Sequence, residues 1–224
     1  MERGAISYAI RVMIQRVLGL VLFLVGARSA LSWHAWVYFG TNFAAAVLSL
    51  MIMFRVSQET LSQRGKVDTD SPTWDKLLLG IYWILHFFAI HLVAGLEWQG
   101  VVPNEALYWI GMVLVVMSIV VAMAALVVNT YLESTARLQH DRDQRVISSG
   151  IYRIVRHPTY LAVLISAAGI SLVFGKPFTC LVALVISGII ILRTHLEDRM
   201  LIDGLPGYAE YAQKVRYRLI PGIW

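Results

Sequence analysis

GIYRIVRHPTYLAVLISAAGISLVF, residues 150–174, is the stretch whose reading decides the fold. Gly150, Tyr152, Arg153, Arg156, His157, Pro158 and Tyr160 run directly into the apolar segment Leu161–Phe174. Pro158 suits the first turn of a helix, where its missing N–H costs nothing. Arg156 and His157 then stand just outside a helix N-terminus, at the mouth of a membrane segment. That end of a helix carries partial positive charge, so two more cationic groups there call for an anion. A simpler reading has Arg153 and Arg156 anchoring a span at the headgroups, as interfacial arginines commonly do.

Composition places the rest of the chain around this junction. Of its 224 residues 58% are hydrophobic and 15% charged, with a mean hydropathy of +0.66, outside the balance of a soluble domain. Trp33–Phe54, Leu77–Leu96 and Ala106–Val128 are nearly uncharged and each can cross about 30 Å of hydrocarbon as a helix. Val12–Ala27, apolar apart from Gln15 and Arg16, is an expected first span, with no small-residue cleavage site after it to suggest a signal peptide. Leu161–Phe174 and Phe178–Leu192, joined by Gly175-Lys176-Pro177, read as a helical hairpin, each arm short of a full crossing. The expected architecture is an all-α polytopic membrane bundle of five or six membrane helices, ending in this hairpin and a C-terminal segment.

The basic residues orient it. Arg3, Arg11 and Arg16 precede the first span; Arg55, Arg64, Lys66 and Lys76 follow the second. Arg137, Arg142, Arg145, Arg153 and Arg156 follow the fourth, and Arg193, Arg199, Lys214, Arg216 and Arg218 follow the hairpin. Only Arg28 and Lys176 lie on the other side, so both termini are expected in the cytoplasm. This accounts for a pI near 9.5 without nucleic acid. Cys180 is the only cysteine, which leaves no disulfide framework and no thiolate metal site. Ser57–Thr73 reads as a loop, with Ser71-Pro72 capping the next helix. His86 and His91, five positions apart, point about 140° from each other on a helix and form no two-ligand metal face.

Chemistry-bearing residues concentrate after Val128, dividing the chain into N-terminal membrane helices, 1–128, and a catalytic region, 129–224. One cluster holds Asn129, Arg137, Gln139, Asp141 and Arg142; another holds Arg193, His195, Glu197, Asp198, Arg199, Gly207, Tyr208, Tyr211, Arg216 and Arg218. Arg193 and Glu197 are spaced for an i,i+4 ion pair, and interfacial tyrosines are routine. Gly-x-Gly-x-x-Gly is absent, so no soluble nucleotide-binding domain is concealed here.

Taken together, Gly150-x-Tyr152-x3-Arg156-His157-Pro158-x-Tyr160, Glu197-Asp198-x2-Leu201, Gly207-Tyr208-x2-Tyr211 and Arg216-x-Arg218-x2-Pro221 resemble the isoprenylcysteine carboxyl methyltransferase family. That family includes related membrane phospholipid and thiol methyltransferases. The resemblance covers roughly Asn129 to Trp224, and its Arg137–Arg142 loop looks like that of bacterial members, implying a bacterial inner membrane. It implies S-adenosylmethionine as methyl donor, held at the cytoplasmic face, and a lipophilic small-molecule or lipid acceptor entering from the bilayer. By that resemblance His157, Tyr160, Glu197, Tyr208 and Tyr211 would bind the cofactor. Arg156 would be the catalytic residue, holding the acceptor. Arg216 and Arg218, with Asn129 and Tyr152, would contact substrate or close the pocket, and no metal is implied. Ile151 departs from a common proline, and Asp198 from a common glutamate.

Two other readings fit parts of the pattern. Membrane sterol and steroid reductases have a comparable Arg-His-Pro stretch but use NADPH, whose phosphates the Arg137–Arg145 loop could meet and the Glu197-Asp198 carboxylates would repel. A non-enzymatic transporter would place ionisable groups near the midplane and often show internal repeats.

Overall fold

A computed structural model describes residues 2–28, 32–65 and 70–224. Lys66, one of the orienting charges, lies outside the described residues. All regular structure among the described residues is helical. Helix α1 (Glu2–Ala27) is followed by α2 (Trp33–Val56) and a short α3 (Gln58–Gly65) that packs back on α1. Helix α4 (Thr73–Trp83) passes through a π-helical segment, Ile84–Ala89, into α5 (Ile90–Leu96), making one continuous rod. Then come α6 (Glu105–Val128), α7 (Pro158–Phe174), α8 (Pro177–Gly204) and α9 (Tyr208–Lys214).

Among the described residues, five helical stretches are long and apolar enough to cross a membrane: Arg3–Ala27, Trp33–Val56, Thr73–Leu96, Glu105–Val128 and Pro177–Gly204. Helix α7, with 17 residues, reaches only about 25 Å. Val113 and Leu184 are 65% and 68% exposed, an outward apolar surface that suits lipid. The chain is a multi-pass membrane protein.

The hairpin forms where its sequence places it. Gly175 closes α7 with φ of 57°, a left-handed conformation that glycine adopts without strain, and Pro177 opens α8. Glu97 completes that turn by accepting the backbone N–H groups of Phe178 and Thr179 at 3.0 and 2.8 Å, satisfying donors that the helix start leaves free. The second arm is longer than the sequence suggests. Helix α8 runs for 28 residues, about 42 Å, so Arg193–Gly204 continues the helix past the apolar run instead of leaving it. Ser57–Thr73 is not wholly loop, since it contains α3. Pro72 takes the cap position of α4, while the Ser71 hydroxyl is buried without a partner.

Close packing holds the bundle together. Helices α6 and α7 share the most extensive interface, where Gly111 and Gly169 face each other backbone to backbone. A Cβ on Gly111 would stand 2.7 Å from the carbonyl oxygen of Gly169, which is why small residues mark this crossing. Phe23, Tyr38, Phe39, Trp98 and Phe174 fill the centre with ring centroids about 5–6 Å apart. This end of the bundle is well filled. At the other end, where α7 begins and α8 finishes, 129–157 and 205–224 wrap around a cavity.

Candidate active site

The site is organised by one buried carboxylate. Pro158 is the first residue of α7 and His157 its cap residue, so Arg156 lies on the incoming strand of chain. The Arg156 and His157 backbone N–H groups donate to the carbonyls of Tyr217 and Arg218, both at 3.0 Å, which binds the C-terminal tail to the start of α7. The Arg156 guanidinium meets both oxygens of Asp198 at 2.8 Å. Its Nη1 donates to the carbonyls of Ala212, Val215 and Arg216 at 3.3, 2.8 and 3.1 Å, satisfying acceptors at the end of α9.

Asp198, with no exposed surface, also accepts from Arg218 Nε at 2.8 Å and the Tyr208 hydroxyl at 3.0 Å. His157 Nε2 lies 3.0 Å from its Oδ1. A buried carboxylate is tolerable when paired and fully hydrogen-bonded, and this one meets that condition. Burial works against the charge on Arg156, but Asp198 outweighs it and raises the guanidinium pKa. Burial, reinforced by Asp198, pushes the Tyr208 phenol well above its ordinary value, and burial does the same at Tyr211. Both phenols therefore serve as neutral donors at physiological pH.

One residue earlier, Glu197 faces different partners. Its Oε2 accepts the Tyr160 hydroxyl, and Oε1 has no hydrogen-bond partner among the described residues. The Tyr160 ring stacks on His157 with 4° between planes, and the Arg193 guanidinium lies 5.2 Å from the Tyr160 ring centre. Arg193 does not form the ion pair its i,i+4 spacing allows. It bonds Asp75 of α4 at 2.7 Å and the Ser134 carbonyl at 2.9 Å. Both Arg193 and Asp75 are buried, and the Ala136 N–H donates to Asp75 at 2.8 Å, so the pair is satisfied away from water. This leaves Glu197 bonded to Tyr160 alone among the described residues, with Oε1 open on the cavity wall.

The cavity has a volume of about 350 Å³. Its wall includes Arg156, His157, Tyr160, Glu197, Tyr208 and Tyr211, together with Asn129 and Tyr152. Asn129 donates to the Tyr152 hydroxyl at 3.1 Å, and Tyr211 donates to the Tyr152 carbonyl at 2.7 Å, bracing the loop that carries Arg156. Arg216 and Arg218 depart from expectation. Neither lines the cavity: Arg218 turns to Asp198 and to the Trp224 ring, and Arg216 supplies a carbonyl to Arg156 from an exposed position. Arg156 departs in degree. With its bonds counted against the five N–H groups of a guanidinium, one N–H on Nη2 is left for a ligand.

Some residues that build the site were not among the expected site residues. Asp198, read as part of the Glu197-Asp198 pair and given no role of its own, is the hub behind the cavity wall. Arg64, from α3, and His86, from the π-helical segment, also line the cavity, so its wall draws on both parts of the chain. A carboxylate at the start of an otherwise apolar span was the available signal for Asp75.

The isoprenylcysteine carboxyl methyltransferase (ICMT) family matches residues 109–203, from within α6 to near the end of α8. The match takes in Arg156-His157-Pro158 and Glu197-Asp198, and the Gly207–Pro221 cluster lies beyond it. No curated protein matches the sequence. Among solved structures, the fold is similar to that of the eukaryotic intramembrane Ras methyltransferase ICMT (isoprenylcysteine carboxyl methyltransferase). The TM-score is 0.57 at 19% identity, over 94% of this chain and 73% of that one. The model of the isoprenylcysteine carboxyl methyltransferase family thus matches the segment that carries Arg156-His157-Pro158 and Glu197-Asp198, and the chain shares its fold with a solved enzyme of that name.

Proposed function

We propose that the protein is an S-adenosylmethionine-dependent methyltransferase that modifies a lipophilic acceptor at the cytoplasmic end of the bundle. The observation that carries this reading is the two-sided cavity. Its mouth holds Glu197, Tyr160 and His157, and the same space continues to Leu79, Phe87, Ile119 and Ile190 within the spanning helices. One wall suits a polar, charged cofactor and the other an apolar molecule arriving from the bilayer. The basic residues Arg3, Arg64, Arg137, Arg145 and Arg153 belong to segments at the cavity end of the bundle, which supports a cytoplasmic orientation. The bacterial form of the Arg137–Arg142 loop supports an inner-membrane location.

The cavity residues fit the proposed donor. The open oxygen of Glu197 suits an amine or ribose hydroxyl, and Tyr208 and Tyr211 supply flat, neutral walls. When bound, the donor supplies an electrophilic methyl group on a sulfonium centre. Displacement at that carbon needs little acid–base help, so positioning and exclusion of water supply most of the acceleration. Tyr160 orients Glu197, while the Asp198 hub holds His157 and Tyr208 in place. Arg156 acts mainly by fixing this frame, with its remaining N–H available to steer an acceptor.

A reductase would need cations for the phosphates of NADPH. Arg137 bonds Glu133 and Asp141, and Arg142 bonds Glu59 and Gln139, so these loop arginines already have anionic or polar partners. The test is incubation of purified protein with methyl-tritiated S-adenosylmethionine and a bacterial membrane lipid extract. Solvent-extractable radioactivity that disappears with Glu197→Ala is expected. No transfer to any lipid fraction by folded protein would contradict the proposal.

A further inference from the structure

Asp75 stands in the first turn of α4, a position where a carboxylate commonly does no more than offset the helix dipole. This one has no exposed surface, and each of its oxygens has a partner outside α4. Oδ1 accepts from Arg193 Nε of α8 at 2.7 Å, and Oδ2 accepts from the Ala136 N–H at 2.8 Å. A buried ion pair carries a desolvation cost that well-packed apolar residues would avoid. Stability alone is therefore a weak reason for one here.

A stronger reason lies one turn along α8. Glu197 is four positions beyond Arg193, a spacing at which the two side chains can meet, and away from water their attraction is strong. Both already touch Tyr160: the Arg193 guanidinium lies 5.2 Å from its ring centre, and its hydroxyl donates to Glu197. Arg193 nevertheless turns to Asp75 and to the Ser134 carbonyl, the latter at 2.9 Å. Were it to pair with Glu197, the protein's own cation would take the carboxylate oxygen that stands open on the cavity wall.

We infer that Asp75 is a positioning residue for cofactor binding, holding Arg193 away from Glu197 and so keeping the Glu197 carboxylate available. The inference rests on the methyltransferase reading. It puts a determinant of cofactor affinity in the N-terminal membrane helices, outside the segment 109–203 that the family model matches. Asparagine cannot take over this role. Its amide has one acceptor oxygen and one donor group, so it cannot accept from Arg193 and Ala136 together, and it carries no charge. In Asp75→Asn the buried guanidinium turns to Glu197.

The test is a double-mutant cycle on detergent-purified protein, with S-adenosylhomocysteine affinity measured by calorimetry and Tm recorded for every variant. Asp75→Asn should weaken binding about tenfold. The effects of Glu197→Gln should then exchange. In the wild-type background it weakens binding and leaves Tm unchanged. In the Asp75→Asn background it should add less than about twofold to the loss of affinity, yet lower Tm by a few degrees, because Arg193 loses its substitute partner. Asp75→Asn/Arg193→Gln leaves no unpaired charge at this point, so it should fold even if Asp75→Asn alone does not. It should recover binding to within about threefold of wild type. Wild-type affinity in Asp75→Asn, independent losses in Asp75→Asn/Glu197→Gln, or weak binding by folded Asp75→Asn/Arg193→Gln would overturn the inference. Failure of the methyltransferase reading would show separately, as wild-type protein that does not bind S-adenosylhomocysteine, and would remove the inference with it.

Discussion

Asp198 and Arg156, 42 positions apart in sequence, form a two-pronged ion pair with both contacts at 2.8 Å. This pair ties the start of α7 to the far end of α8, and through the Arg156 bonds to the carbonyls of Ala212, Val215 and Arg216 it also fixes α9. The site is therefore a frame built around a charge, with the ligand-facing groups mounted on it.

Removing that charge should cost the frame. Asp198→Asn keeps the shape but leaves Arg156 and Arg218 without their anion. Breaking a buried pair from one side costs about 3–5 kcal/mol, which lowers Tm by roughly 10 °C for a chain of this size. Thermal unfolding of the detergent-purified protein, followed by intrinsic fluorescence, checks this. A Tm within a degree or two of wild type would show that the hub contributes little.

Arg156 offers a sharper distinction. Arg156→Lys cannot reproduce the bidentate contact and the three carbonyl bonds together. Affinity for S-adenosylhomocysteine, turnover and Tm should then fall together. Loss of kcat alone, with affinity and Tm unchanged, would show instead that Arg156 acts directly on the acceptor.

Much of this was legible in the sequence. Pro158 announced the start of α7 because only a first-turn position tolerates its missing N–H, and Gly175-Lys176-Pro177 announced the hairpin for similar local reasons. Span lengths followed from composition. Pairings across the chain were not legible: Arg193 has Glu197 four positions away yet bonds Asp75, 118 positions distant, because both are buried where α4 and α8 meet. The polar residues after Leu192 suggested a helix exit, while tertiary partners hold them in helix as far as Gly204. Arg16 read both as part of the expected first span, Val12–Ala27, and as one of the charges at its start; α1 begins ten residues earlier, at Glu2, and so places Arg16 in the helix interior.

The glycine crossing should be intolerant of even one carbon. A Cβ on Gly169 would stand 2.9 Å from the Gly111 carbonyl oxygen and 3.0 Å from the Val115 nitrogen. Backbone atoms cannot yield without parting α6 and α7. Gly169→Ala should therefore lower stability by about 1–3 kcal/mol, measured as a fall in Tm, whereas Gly188→Ala, with open space around it, should leave Tm unchanged.

The buried tyrosines set the alkaline limit. The Tyr208 and Tyr211 phenols are raised above the ordinary value near 10, so above that pH the unfolded chain loses protons that the folded chain keeps. Stability is thus fully present below about pH 10 and declines as pH rises beyond it. Phenolate absorbance should show these two tyrosines silent until the protein unfolds. Their ionisation in folded protein near pH 10 would contradict their assigned environment.

The central claim is that Glu197 faces a cofactor cavity, and calorimetry tests it most directly. Wild-type protein should bind S-adenosylhomocysteine saturably and bind no NADPH. Glu197→Gln should weaken that binding about tenfold or more at unchanged Tm. Binding of NADPH alone, or S-adenosylhomocysteine affinity indifferent to Glu197→Gln, would contradict the account.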